Sequence, residues 1–275
     1  MATLGSNNDL LCNWASFLPK AEEAGMSVAF GHFDGVHRGH QAILAHKPEN
    51  IYIQPVTGQA VLTTDEERDA LIRQYAGEQC NIIHVDKRLE TKGFNSVIVG
   101  SHHPALASLK EHNAKLDLIE PVLYKDEPIT ADRITDTLLR GEIEEAEEML
   151  GHPYAMTGEV VYGRQLGRTV GMPTVNLKIA TNKLIPRHGV YGTITIVDGV
   201  RYIGVTSIGP RPTVDDYPTV TIETFLLYFN RDLYGQVITM EIKNFIRPIT
   251  KFESLQAVRE QVDKDVLFVL EKGLE

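Results

Sequence analysis

Hydrophobic and polar positions alternate along the first half of the chain in a way that is typical of strands joined by helices. Short apolar runs occupy residues 26–30, 51–53, 81–85 and 96–99. Residues 39–46 and 64–76 between them are predicted to be helices, and the second segment opens with Thr-Asp-Glu-Glu, an N-cap followed by acidic residues that favours a helix start. Residues 131–150 have apolar positions at helical spacing, interrupted by Gly141, which predicts two short helices. This order predicts a mostly parallel sheet with crossover helices.

The second half has a different pattern, of short β-rich runs separated by turns. The runs cover residues 155–162, 189–197, 201–208, 220–228 and 237–245. Asp198-Gly199 between two of them is a strong hairpin signal. Residues 254–274 have apolar positions at three- to four-residue spacing and predict an amphipathic helix. We therefore predict an antiparallel barrel with a terminal helix, and we place a domain boundary after residue 152, giving domains at 1–152 and 153–275.

Charge and cysteine content indicate which binding partners and which cellular compartment to expect. The chain has 27 Lys and Arg against 37 Asp and Glu, a net charge of −10, so it offers no bulk attraction to nucleic acid or anionic lipid. No apolar run approaches the roughly 20 residues that would cross a bilayer, and residues 1–14 lack a basic start followed by an apolar core. Cys12 and Cys80 are far apart. These features predict a cytoplasmic protein with neither a nucleic-acid nor a membrane partner.

The run GHFDGVHRGH at residues 31–40 directly follows a predicted strand and precedes a predicted helix. A helix N-terminus offers free N–H groups and a positive dipole end, and glycines let a phosphate approach the backbone. His37 and His40 at this turn could stabilise charge on a transferring phosphate. Two alternatives remain open, since the histidines could hold a metal or could be incidental to a tight turn.

The run GRQLGRTVGMPTVNL at residues 163–177 carries three glycines at four-residue spacing with two arginines among them. Such a segment could fold over a polyphosphate, although it is not a Walker loop because it lacks G-K-[ST]. Thr174 and Asn176 alternate along an extended segment and point the same way, and their oxygens suit Mg²⁺. The alternative is a glycine-rich β-bulge with Pro173 at a strand end.

Glu223 is a lone carboxylate in the strongly apolar run VTIETFLL at residues 220–227. With a period of two it shares a face with Thr221 and Phe225, opposite Ile222 and Leu226. A carboxylate placed in this way could accept a proton from a substrate hydroxyl during phosphoryl transfer. The alternative is the solvated face of an edge strand.

The first of these runs resembles the H-x-G-H signature of nucleotidyltransferases, and with its G-x-F-D-G-x-H prefix it resembles the adenylyltransferase half of the bacterial bifunctional riboflavin kinase and FAD synthetase family. The resemblance implies a Rossmann-like nucleotidyltransferase domain with catalytic histidines His37 and His40. It also implies nucleotide binding by a second set of residues: Gly31, Phe33, Asp34, Gly39 and Arg133. The chain departs from the family in the run ITADRI at residues 129–134, which keeps one hydroxyl and the arginine of a Ser-Ser-Thr-Arg-Ile pattern. The flavin-side loops also differ, reading QPVT at residues 54–57 and GSHHP at residues 100–104.

The second half is similar to riboflavin kinase along its whole length. The similarity rests on residues 167–177, PRHGVYG at 186–192, SIGPRPT at 207–213, Glu223, DLYG at 232–235 and FIRPITKF at 245–252. It implies a six-stranded antiparallel barrel, with Thr174 and Asn176 on Mg²⁺, Glu223 as the base and Arg247 near the flavin loop. Nucleotide binding is expected of Gly163, Gly167, Arg168, Gly171, Pro173, Thr174, Asn176 and Arg247. Phe225 stands where the family usually has histidine.

We therefore expect an enzyme that uses ATP and Mg²⁺ to convert riboflavin to FMN, releasing ADP, with a first half that could make FAD from FMN. Two rival hypotheses stay open. The protein could be a flavin-sensing regulatory protein with a remnant nucleotidyltransferase domain, or its first half could adenylylate another phosphate ester. The sequence predicts no oligomeric state.

Overall fold

The computed structural model describes residues 27–85, 96–103, 106–112, 115–163, 171–210 and 220–274. The chain forms two compact units. The first contains Met1–Gln59 and Asp65–Ile129, and the second contains Ala60–Thr64 and Thr130–Glu275. The expected domain division after residue 152 stays a prediction. The compact units meet along the chain at Ile129 and Thr130.

The first unit is built on a five-stranded parallel sheet, which confirms the predicted parallel arrangement, although its strand at residues 116–119 was not among the predicted runs. The strands are β1 (Ser27–Gly31), β2 (Asn50–Ile53), β3 (Asn81–His84), β4 (Ser96–Gly100) and β5 (Leu116–Ile119), in the order β3-β2-β1-β4-β5. The helices are α1 (Arg38–Leu44), α2 (Asp65–Ala76) and α3 (Leu106–His112). Burial follows position in the sheet. All four residues of β2 are buried, whereas no residue of the edge strand β3 is buried.

Hydrophobic side chains cover both faces of this sheet. Alternate residues of a strand point to opposite faces. Val28 and Phe30 therefore lie in one cluster, with Leu109 of α3, while Ala29 lies in another, with Leu44 of α1 and other apolar residues. The result is a three-layer α/β unit whose central strand β1 carries the phosphate-turn motif at its carboxyl end.

Two short helices precede the barrel in the second unit. A small hairpin in the first unit, β6 (Leu123–Tyr124) and β7 (Glu127–Pro128), leads to α4 (Ala131–Arg140) and α5 (Ile143–Leu150). Gly141 ends α4 in the left-handed conformation, with φ 82°, which glycine adopts without steric cost. On α5, Glu147 pairs with Lys243 at 3.0 Å, and Glu144 accepts a hydrogen bond from Asn244 at 2.7 Å. These contacts place α5 against the barrel.

The second unit contains a closed six-stranded antiparallel barrel, which confirms the predicted fold class. Its strands are β8 (Tyr154–Val161), β9 (Thr174–Ile179), β10 (Gly189–Val197), β11 (Val200–Pro210), β12 (Val220–Leu226) and β13 (Val237–Arg247), in the order β10-β11-β12-β9-β8-β13. Asp198 and Gly199 form the tight turn between β10 and β11 with φ of 50° and 76°. Both angles are positive, as the predicted hairpin turn requires.

The two surfaces of the barrel wall differ in chemistry. Inside, the hydroxyls of Thr193, Thr206 and Thr224 form a chain with Oγ1–Oγ1 distances of 2.8 and 2.9 Å, next to the Sδ atom of Met240. Outside, Val190 and Val205 pack with Val269 of the terminal helix α6 (Leu255–Lys272). One outer face of the wall is therefore covered by α6.

The segment Ala60–Thr64 adds an extended piece of chain to the second unit. Val61 donates a backbone hydrogen bond to the carbonyl of Asn182 and accepts one from Leu184, both at 2.8 Å. Lys183 is 3% exposed, and its ammonium donates to the carbonyl of Leu62 at 2.6 Å. The ring of Tyr154 lies 4.7 Å from the same ammonium.

None of the helices that the structure describes is long and apolar enough to span a bilayer.

Candidate active sites

Thr174 and Glu223 meet on the outer surface of the barrel. Strands β9 and β12 pair so that Thr174 lies opposite Phe225 and Asn176 lies opposite Glu223. Since side chains alternate along a strand, all four share one face, whereas Ile222 and Leu226 lie on the other face and are buried. The Thr174 hydroxyl donates a hydrogen bond to Glu223 Oε1 at 2.5 Å. The ladder register therefore joins two residues that are 49 positions apart.

A cavity of about 430 Å³ lies beside this pair and is lined by Pro173 and Thr174. The turn after β12 supplies the aromatic and polar part of the wall, consisting of Phe229, Asn230, Arg231, Asp232 and Tyr234. This volume is in the range of small-molecule sites. Thr174 thus faces a ligand-sized cavity and at the same time contacts a carboxylate.

Asn176 and Gly163 are packed against each other. Asn176 is buried, and a Cβ atom on Gly163 would lie 2.2 Å from its Nδ2 atom. Only glycine therefore fits at position 163 without displacing the amide. Gly163 follows β8, whose residue Val161 is paired with Asn176. This contact fixes where the chain leaves the barrel at the start of the glycine-rich run.

The donor set suits a hard cation in part. Thr174 uses its hydroxyl hydrogen on Glu223 and keeps its oxygen lone pairs, which a divalent cation prefers. The Asn176 carboxamide lies on the same face. Within the described ranges no three His, Cys, Asp or Glu side chains converge as a metal site.

The remaining residues predicted for the second site are Gly171, Gly167, Arg168 and Arg247. Gly171 has φ 74° and is exposed, while Gly167 and Arg168 lie outside the described residues. Arg247 forms a two-point ion pair with Asp265 of α6, with Nε–Oδ1 and Nη2–Oδ2 distances of 3.0 and 2.8 Å. This pair ties β13 to the terminal helix, and a flavin-binding role for Arg247 stays a prediction.

The phosphate-turn motif of the first unit forms a strained turn between β1 and α1. After Gly31, Phe33 is left-handed with φ 49° and 1% exposed, and Asp34 opens a short 3₁₀ turn. His37 precedes α1, and its ring stacks on that of His40 with centroids 3.7 Å apart. A Cβ atom on Gly39 would already lie 3.1 Å from the His37 ring, so this position is close to full. The turn thus brings together Gly31, Phe33, Asp34, His37, Gly39 and His40.

Two histidines lie near this turn, His40 within it and His103 just after β4. Burial, reinforced by His37 and His32, lowers the pKa of His40 well below its ordinary value. Burial and, secondarily, His32 lower the pKa of His103 to about 4. The His103 ring packs edge-on against Phe30 at 5.2 Å. Both rings are therefore neutral at pH 7, and they can act there as hydrogen-bonding groups but not as fixed cations.

Arg133 lies in the first turn of α4, in the second compact unit. The hydroxyl of Thr130 accepts a hydrogen bond from the backbone N–H of Arg133 at 3.2 Å and caps this helix. The one hydroxyl that this run keeps from the family pattern therefore has a structural role here. Nucleotide binding by Arg133 stays a prediction.

Two family models match the chain, one to each half. Residues 150–271 match the model described as riboflavin kinase, and residues 19–114 match the model described as FAD synthetase. The chain belongs to the bifunctional riboflavin kinase and FAD synthetase family.

Relatives of this family are similar over most of their length. The bifunctional riboflavin kinase/FMN adenylyltransferase of Listeria monocytogenes is 27% identical over 86% of this chain and 89% of its own length. The Bacillus subtilis protein of the same name is 28% identical, over 90% and 92% respectively. A solved structure titled macrolide-efflux protein from Streptococcus pneumoniae superimposes with a TM-score of 0.79 at 22% identity, covering 92% of this chain and 95% of that one. At this identity the superposition supports the shared fold only.

Sequence reasoning on this family member missed the part of the cavity wall formed by Phe229, Asn230 and Arg231. It also left Tyr162, which stacks on Tyr234 with ring centroids 3.8 Å apart, without a role. The available signal was an aromatic and turn-rich run, YFNRDLYG at residues 228–235, directly after the strand that carries Glu223.

Proposed function

We propose that this protein is a riboflavin kinase that transfers the γ-phosphate of ATP to the 5′-hydroxyl of riboflavin, giving FMN and ADP. The observation that carries the proposal is the Thr174–Glu223 hydrogen bond beside a ligand-sized cavity. The match of residues 150–271 to the riboflavin kinase model supplies the substrate class.

Glu223, Thr174 and Asn176 have different roles in the proposed reaction. Glu223 accepts the proton of the attacking hydroxyl while the new O–P bond forms and the bond to the β-phosphate oxygen breaks. Thr174 orients the carboxylate through their hydrogen bond and, with Asn176, offers oxygen ligands for Mg²⁺. When bound, Mg²⁺ would neutralise charge on the phosphates. The pairing of β9 with β12 keeps these groups in a fixed register.

Product analysis tests the proposal directly. Incubation of the whole chain with riboflavin, ATP and Mg²⁺ should yield FMN and ADP in equal amounts, resolved by chromatography. Flavin binding without any FMN formation would favour the alternative of a flavin-sensing protein and would overturn the assignment.

A second candidate activity is transfer of AMP from ATP to FMN by the first unit, with release of pyrophosphate. It is supported by the match of residues 19–114 to the FAD synthetase model and by the stacked pair His37–His40 at the phosphate turn. The altered loops at residues 54–57 and 100–104 oppose it, because their sequences QPVT and GSHHP depart from the flavin-side loops of the family. A separate incubation with FMN, ATP and Mg²⁺ decides between FAD formation and a unit that acts on another phosphate ester.

Gly163 provides a mutational test of the kinase site. In Gly163→Ala the new methyl would lie 2.2 Å from Asn176 Nδ2 and would displace that amide. Because small misplacements of site groups are costly, we expect FMN formation to fall by up to about 100-fold with little change in the unfolding temperature. Gly158→Ala is the comparison variant, since its methyl would lie 2.3 Å from the backbone oxygen of Lys178 and should lower stability itself. Full activity in Gly163→Ala would show that the position of Asn176 is unimportant.

A further inference from the structure

One arginine of the first unit is buried, and neither proposed activity uses it. Arg68 is the fourth residue of α2 and is 2% exposed. Its Nη2 atom donates to Asp65 Oδ1, but the Asp65 side chain is 69% exposed, so solvent screens the charge of this partner. The Arg68 Nε atom is buried and has no hydrogen-bond partner among the residues that the structure describes. A buried guanidinium that lacks a hydrogen bond is costly, so its position calls for an explanation other than stability.

The packing of α2 directs Arg68 towards the phosphate turn. Ile72 and Ala76 follow Arg68 at intervals of four residues, so all three lie on one face of the helix. Ile72 and Ala76 are buried in the same cluster as Phe33 and Val36 of the turn. The helix also contacts the 3₁₀ turn at residues 34–36. Arg68 therefore continues a buried helix face that packs against the phosphate turn.

The positive charge of Arg68 acts on the histidine pair of the turn. Burial is the main reason why the pKa of His40 is low, and the charges of two further histidines and of Arg68 lower it further. The Nδ1 atom of His40 is buried and has no hydrogen-bond partner in the part of the chain that the structure describes. A neutral imidazole can donate a hydrogen bond to a phosphate oxygen but adds no charge to the site. The guanidinium of Arg68, in contrast, is a permanent cation.

A nucleotide polyphosphate is the class of ligand that this arrangement suits. The histidines of the turn offer hydrogen bonds, and a buried cation behind them attracts an anion more strongly than an exposed cation does, because little water screens it. Arg38 of the same turn is exposed and lacks this advantage. During AMP transfer the leaving pyrophosphate gains negative charge as its bond to the α-phosphate breaks, and a fixed cation stabilises that charge.

We propose that Arg68 is a positioning residue of the phosphate turn, which acts through His40 and adds fixed positive charge to a site for the polyphosphate of a nucleotide. The inference rests on the second proposed activity, AMP transfer by the first unit, and it assigns a role to a residue outside the run at residues 31–40. It predicts that the charge at position 68, and not only the shape of the side chain, determines how tightly the turn binds a polyphosphate.

Binding of inorganic pyrophosphate to the whole chain tests this role without turnover. The NMR signals of the His40 ring, assigned by comparison with His40→Gln, report binding at the phosphate turn and not at the barrel. In Arg68→Met, which keeps an unbranched side chain but removes the charge, we expect the Kd for pyrophosphate to rise about 10-fold. The pKa of His40 should also rise, because a cation that disfavours its protonation is gone. Arg68→Lys keeps the charge and should restore both values.

The unfolding temperature separates this role from a structural one. Replacement of a buried charge by an apolar side chain is often neutral or stabilising, so Arg68→Met should unfold at no lower temperature than the wild type. The other titratable groups of the turn, Asp34, His32 and His37, are unchanged in both variants. If Arg68→Met does not fold, Arg68→Gln, which can still donate a hydrogen bond to Asp65, gives the same comparison.

Arg73→Met is the matched control, because it removes a cation from the last turn of the same helix, where Arg73 donates to the carbonyl of Cys80 at 3.5 Å. It should match the wild type in pyrophosphate affinity and in the pKa of His40. Equal affinity in Arg68→Met and the wild type would overturn the inference. An equal loss in Arg68→Met and Arg68→Lys would do so too, since shape would then matter and charge would not.

The same measurements keep this inference separate from the proposed AMP transfer. If the wild type binds pyrophosphate at His40 but makes no FAD, AMP transfer to FMN fails, and the comparison of Arg68→Met with Arg68→Lys still decides the role of Arg68. If pyrophosphate leaves the His40 signals of the wild type unchanged, both the phosphate site and the role of Arg68 are rejected.

Discussion

Replacing Glu223 by glutamine should lower kcat for FMN formation by about 100- to 10,000-fold, the usual contribution of a general base. Glutamine keeps the size of the side chain and can still accept the hydrogen bond from Thr174, but it cannot take the proton of the attacking hydroxyl. We therefore expect KM for riboflavin and for ATP to stay within about threefold of the wild type. Initial rates measured at varied riboflavin and varied ATP separate these quantities.

Glu159→Gln is the control for loss of one carboxylate from the barrel, since Glu159 is exposed on β8 and does not line the cavity. Its rates should match the wild type. If Glu223→Gln retains kcat and changes only KM for riboflavin, Glu223 binds the flavin and some other group removes the proton. That outcome would reject the assigned role while leaving the enzyme class unchanged.

Replacing Thr174 by valine should impair both nucleotide use and turnover. Valine has nearly the shape of threonine but lacks the hydroxyl that bonds to Glu223 at 2.5 Å and offers oxygen to Mg²⁺. A hydrogen bond to a charged group contributes about 1.5–3 kcal/mol, so we expect kcat/KM for MgATP to fall about 10- to 100-fold. The concentration of Mg²⁺ needed for half-maximal rate should rise in the same variant, which initial rates at fixed ATP can measure.

Two further variants make this result specific. Thr174→Ser restores the hydroxyl and should recover most of the rate. Thr157→Val removes a hydroxyl that bonds Thr239 at 3.0 Å between β8 and β13, away from the cavity wall, and should leave the kinetics unchanged. If Thr174→Val and Thr174→Ser were equally impaired, the hydroxyl would not be the group that matters.

The fold was predictable wherever the information was local. The apolar run that became β1 is central in its sheet and buried on both faces, so its composition alone indicated a strand. Asp198-Gly199 predicted its hairpin because both residues tolerate positive φ. Strands β6 and β7 have only two residues each and give no periodic signal.

The sites were predictable as motifs but not as geometry. Period two placed Thr174 and Asn176 on one face, yet only the register of β9 against β12 brings Thr174 to Glu223. The Tyr162–Tyr234 stack depends on a pairing across more than 70 positions, which no local pattern encodes. Likewise, the amphipathic face of α5 predicts burial, but its sequence does not say that β13 is the surface it covers.

The extended segment Ala60–Thr64 has a practical consequence for anyone who wishes to study the kinase half in isolation. A recombinant fragment that starts near residue 150 would omit the carbonyl group that receives the Lys183 ammonium, as well as the backbone partners of Asn182 and Leu184. The Lys183 ammonium would then be exposed to solvent. The backbone groups of Asn182 and Leu184 would be unpaired and could pair with another chain. Such a fragment should aggregate or melt early unless a peptide carrying residues 58–66 is supplied alongside it.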